Sequence, residues 1–114
     1  MQLMMVLSML INIVVLVPVC WGIFSDAAWA VGSYGSKSAA RDILLSVYVS
    51  IGLVSALLLI LREPKLAAAL LSVQVIYKLT TPFTVGTLDH PVVFSNVAIA
   101  LFHSVTLYLI WLDW

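Results

Sequence analysis

Four apolar stretches dominate this chain, and each is about the length of one membrane crossing, which takes roughly 20 residues of helix. Residues 1–25, 43–61 and 91–112 contain no Asp, Glu, Lys or Arg, and residues 66–88 contain only Lys78. In hydrocarbon an unpaired backbone amide costs several kcal/mol, so such stretches are stable only as helices or as strands of a closed barrel. A barrel requires alternation of apolar and polar positions, and these stretches lack it. The expected fold is all-α: a polytopic membrane protein built as an antiparallel four-transmembrane-helix bundle, one membrane domain over 1–114.

Composition points the same way. The chain is 64% hydrophobic and 9% charged, where soluble domains carry about a quarter charged residues. Five basic and five acidic residues give a net charge of zero, which leaves no basic face for nucleic acid and no polybasic segment for anionic headgroups. The single cysteine, Cys20, provides neither an internal disulfide nor a CxxC redox pair. Residues 28–30 resemble a signal-peptidase site, yet residues 1–5 lack a basic residue and the apolar run is about twice a usual signal core. The first segment is therefore expected to be retained as a helix.

Punctuation sets the boundaries at about 3–24, 38–61, 64–81 and 90–112, with a polar loop at 25–37. Ser36 or Ser38 can cap the second spanning helix, and Glu63 followed by Pro64 opens the third. That helix is expected to stop near Thr80 or Thr81, before Pro82, and Asp89 with Pro91 repeats the cap-then-proline pattern for the fourth. Short connections favour antiparallel neighbours. Lysine and arginine counts leave the sidedness of the termini open. Trp21, Phe24, Trp29 and Phe83 mark one interface, and Tyr108, Trp111 and Trp114 the other.

Two groups of polar residues carry the functional candidates. Asn12, Ser50, Gln74 and His103 each fall within about one turn of the middle of their own helix, at roughly 1.5 Å of rise per residue. Two readings stay open for this midplane cluster: a polar site facing the interior, or side chains that hydrogen-bond helices together without a ligand. The second group, Arg41, Asp42, Tyr77, Lys78, Asp89, His90 and Asn96, gathers toward the end bearing the long loop. Asn96, Ala100 and His103 share one face of the last helix and connect the two groups. A water-filled mouth and simple snorkelling of Lys and Arg to the interface are both compatible with this second set.

No metal or cofactor is expected. His103 is a possible axial ligand for haem or a chlorin shared with a partner chain, but His90 lies about four turns away on the same helix, so one chain cannot clamp one haem with both. Gly52 with Ala56, Ala68 with Ser72, and Ala100 with Ser104 are small-xxx-small pairs that allow close helix packing, within the chain or against another subunit.

The Tyr34-Gly35 pair in the first loop, Arg41 opening a helix that contains Gly52, Pro64 opening the next and Lys78 near its end together resemble the DoxX-like group of small bacterial membrane proteins. The resemblance implies a four-helix architecture in the bacterial inner membrane. Some members of that group resemble accessory parts of quinone-linked redox systems; the resemblance supplies no catalytic residue.

Function is accordingly expected in one of two classes. The first is an accessory, assembly or structural subunit of a larger membrane complex, partnered by other subunits in the bilayer. The second is a homodimeric small-molecule transporter or a binding protein for an apolar ligand such as a quinone, although the first helix lacks the embedded carboxylate that proton-coupled exporters of this size use. An enzyme ranks third: Tyr77, Lys78, Asp89 and His90 supply acid-base groups, but nothing in the spacing fixes their geometry.

Overall fold

A computed structural model describes residues 1–114. The elements are all helical: α1 (Gln2–Phe24), α2 (Ala28–Tyr34), α3 (Ala39–Leu61), α4 (Pro64–Val85) and α5 (Pro91–Leu112). Helices α1, α3, α4 and α5, of 22 or 23 residues, are long and apolar enough to cross a membrane. At 1.5 Å per residue each extends about 33 to 35 Å, against a hydrocarbon core of about 30 Å.

Burial is inverted relative to a protein made for water. Ser8, Asn12, Arg41, Ser55, Gln74, Lys78, Asn96, His103 and Thr106 are all buried, while Ile60, Phe83, Phe24 and Val14 are at least 70% exposed. Water would penalise that exterior at about 25 cal/mol for every Å² of apolar surface. Lipid does not, which identifies the chain as a multi-pass membrane protein.

The chain divides into two compact units, Met1–Ser8 with Arg62–Trp114, and Met9–Leu61. In the first, α4 packs on α5. The buried face of α4 runs through Ala67, Leu71, Gln74 and Lys78, with Ala68 beside it, at helical steps of four, three and four. Val93, Asn96, Ala100, His103, Thr106 and Ile110 form the matching face of α5. The expected alignment of Asn96, Ala100 and His103 is observed. Glu63 caps α4, its Oε1 accepting from the Lys65 amide at 3.3 Å, with Pro64 in the first turn.

Three boundaries differ from expectation. First, α4 does not stop before Pro82 but continues to Val85. Proline has no amide hydrogen, so the Lys78 carbonyl loses its usual donor; the Thr81 hydroxyl donates to that oxygen at 2.6 Å instead. The helix then ends at Gly86, whose left-handed φ of 88° suits glycine and whose amide donates to the Pro82 carbonyl at 2.9 Å. Thr81→Val should therefore destabilise the protein by about 1 to 3 kcal/mol, the cost of an unmet buried acceptor, while Thr81→Ser retains stability; thermal unfolding in detergent reads both.

Second, the cap of α5 is His90 and not Asp89: the imidazole Nδ1 accepts from the Val92 amide at 3.1 Å. Third, the polar segment 25–37 contains α2. In the Met9–Leu61 unit, α1 ends in a Schellman turn, with the Ala27 amide on the Gly22 carbonyl at 3.0 Å and the Asp26 amide on Ile23 at 3.2 Å. Asp26 holds the left-handed position at φ 56°. Beyond it, the Trp29 ring lies so close to Gly22 that a Cβ there would collide with it. Ala30 is fully buried and Tyr34 meets Tyr48 edge to face at 6.1 Å. Ser38 caps α3, accepting from the Arg41 amide at 3.1 Å.

Candidate functional site

Arg41 organises the Met9–Leu61 unit. A cation in the first turn of a helix opposes the local dipole, so its side chain reaches back to helix ends of the opposite polarity. Its guanidinium donates to the Gly35 carbonyl at the end of α2 (2.9 Å) and to the Ile23 carbonyl at the end of α1 (3.5 Å), and it pairs with Asp26 at 2.8 Å. The planar fork engages three acceptors at once, which a lysine cannot reproduce. Asp42, the next residue, pairs with Lys37 at 2.9 Å in an exposed contact that contributes under about 1 kcal/mol.

Deeper in the same unit, the Asn12 amide donates to the Ser55 hydroxyl at 3.0 Å, both residues buried. Ser50 does not occupy that place. It lies on the exposed side of α3, its hydroxyl donating to the Ser46 carbonyl of its own helix at 2.8 Å. Asn12→Leu should lower stability in detergent by about 0.6 to 2 kcal/mol and produce no ligand-dependent thermal shift; a ligand shift in the parent protein that this change abolishes would mark Asn12 as part of a site.

In the other unit, His103 is fully buried, with Nδ1 at 3.1 Å from the Ser8 hydroxyl. Ser8 Oγ also sits 2.7 Å from Thr106 Oγ1, which lies 3.4 Å from the Met4 carbonyl. The imidazole thus joins a short chain of hydroxyls linking the start of α1 to α5. Gln74 is buried on α4 in the same unit.

One turn along α4, Lys78 is 5% exposed and about seven residues, or roughly 10 Å, inside the end of its helix. Its ammonium donates to Asn96 Oδ1 at 3.3 Å. The Asn96 amide donates in turn to Thr81 Oγ1 at 3.4 Å, and Thr81 donates to the Lys78 carbonyl. These four groups close a ring around the proline break. The ring gives the ammonium a neutral acceptor, and neither Asp89 nor another carboxylate of this unit pairs with it. Tyr77 places its ring 5.1 Å from the Lys78 nitrogen. Of the remaining candidates, Asp89 donates its backbone amide to Thr87 Oγ1 at 3.0 Å, and His90 is spent on the α5 cap.

Chemically, Lys78 with Asn96 can present N–H donors to an anionic or carbonyl oxygen in a medium with no water to compete. Residues 1–8 and 62–114 bring together Gln74, Lys78, Asn96 and His103; residues 9–61 bring Asn12 and Arg41 to separate levels. Sequence reasoning missed Ser8, Ser55, Thr81, Thr106 and Asp26. Ser8 stands one turn before Asn12 and Thr106 three residues after His103, so helical spacing from the chosen residues could have found both. No family model matches the chain, and comparison with curated proteins and with solved structures finds no match.

Proposed function

We propose that this chain is an accessory, assembly or structural subunit of a larger membrane complex, in the bacterial inner membrane that the DoxX-like resemblance suggests. The observation supporting this reading is the position of Gly52 and Ala56. They line an apolar groove of about 290 Å³ beside Leu16, Val17 and Leu53, and a Cβ added to Gly52 would meet no atom within 4 Å. A small-xxx-small pair normally lets two backbones approach. Here the pair faces open space, which suits a helix from another subunit or a second copy.

Native mass measurement after extraction in mild detergent tests the proposal. The expected result is a defined complex with another membrane subunit or a second copy, lost in Gly52→Ile while helical content is unchanged. A monomer in the parent protein, or a complex indifferent to Gly52→Ile, contradicts it.

A second reading, binding or transport of a largely apolar molecule such as a quinone, is favoured by Lys78. A buried cation with only a neutral acceptor is costly, and a ligand oxygen at the ammonium would offset that cost.

A further inference from the structure

A different part of the molecule, at the junction of the α4 start and the α5 end, combines a groove with opposite charges in adjoining places. The groove, of about 390 Å³, is lined by Lys65, Ala69, Ser72, Leu107, Trp111 and Trp114. Its floor follows α4 from Lys65 to Ser72, about 10 Å into the apolar part of the helix. Ala69 and Ser72 leave room there, and Trp111 and Trp114, each at least 66% exposed, stand at the level where tryptophan sits among lipid headgroups.

Lys65 is the one charged residue lining this groove. Its ammonium rests 5.2 Å from the centre of a Trp114 ring and forms no ion pair. A second recess, of about 120 Å³, shares Lys65 and Trp114 with the groove and adds Met1, Glu63 and Asp113. A cation at the mouth of an apolar trough, with carboxylates one step further out, matches a molecule that has an acyl chain, a phosphate and an ammonium in that order.

The geometry points to this groove as a binding site for a phospholipid whose headgroup carries a primary ammonium, of the phosphatidylethanolamine kind. One acyl chain lies along Ala69, Ser72 and Leu107, the phosphate meets Lys65, and the ammonium meets Asp113, since the Glu63 carboxylate is engaged at the α4 cap. The site is independent of the Gly52 groove and of Lys78.

Native mass titration of the delipidated protein tests it, using phosphatidylethanolamine, phosphatidylglycerol and phosphatidylcholine with the same chains, and inorganic phosphate as a separate arm. Phosphatidylethanolamine should bind about three- to fivefold more tightly than the other two, as expected for one exposed charge contact. Lys65→Gln should weaken all three lipids, Asp113→Asn should remove the preference, and Ala69→Phe should weaken all three by filling the floor. These side chains face outward, so circular dichroism should be unchanged in each variant. Equal binding of the three lipids by the parent protein overturns the proposal, as does an unaffected affinity in Lys65→Gln or Ala69→Phe. So does a preference that survives Asp113→Asn, or displacement of bound lipid by millimolar phosphate.

Discussion

Arg41→Met should cost the protein about 3 kcal/mol and lower its unfolding temperature in detergent by far more than any surface substitution. The guanidinium meets the Gly35 and Ile23 carbonyls and the Asp26 carboxylate, and hydrogen bonds to charged groups contribute about 1.5 to 3 kcal/mol each. Asp26 is 58% exposed, so its charge is not stranded when the arginine goes; that keeps the expected loss below the sum of the three contacts. Arg41→Lys should recover only part, because a single ammonium cannot serve acceptors at the ends of both α1 and α2. Asp26→Gly should cost less than Asp26→Ala: both lose the ion pair, but glycine relaxes the left-handed backbone at φ 56°. Equal stability of Arg41→Met and the parent protein would show that the corner is held by Trp29 and Tyr34 alone.

The second large effect has the opposite sign. Lys78→Met combined with Asn96→Leu should raise stability by about 1 to 4 kcal/mol, the range seen when buried ionic groups are replaced by apolar ones of similar size. Lys78→Met alone gains less, since Asn96 Oδ1 then loses its donor. Asn96→Leu alone should be the most damaging of the three, leaving the ammonium buried with no acceptor. This pattern is specific to a lysine retained at a cost for some purpose other than folding. A snorkelling lysine would give three near-neutral variants, and a lysine in a strong structural pair would make the double variant destabilised.

How far these features were legible before the structure depends on which physical quantity sets them. Length and apolarity alone place the four long helices, because lipid leaves no other solution for the backbone. The Glu63-Pro64 start of α4 was equally readable, since a cap and a first-turn proline act over three residues. Helix α2 was not: seven residues are too few to be stable alone, and this helix depends on Trp29 against Gly22, Tyr34 against Tyr48 and the Arg41 contact at Gly35. The run of α4 through Pro82 escaped notice for a similar reason, resting on a hydroxyl placed one residue earlier.

Among the polar candidates, the difference between Ser50 and Ser55 is instructive. Both lie near the middle of α3, but the inward face is Tyr48, Ile51, Ser55 and Leu58. In a soluble helix the polar face would give the phase away. In lipid both faces are apolar, hydropathy carries almost no rotational signal, and only packing decides which serine turns inward. Arg41 was readable as a polar residue near a helix end, whereas its role required Asp26, fifteen positions earlier, to be brought beside it.

These helices show apolar side chains to lipid and keep their polar side chains inside. Spin labels at Val14, Leu53, Val73 and Leu101, one mid-helix outward position on each of α1, α3, α4 and α5, check this arrangement in reconstituted bilayers. All four labels should relax strongly with dissolved oxygen and negligibly with a water-soluble nickel complex; strong relaxation by the nickel complex at any of the four would mean that these faces meet water and not lipid.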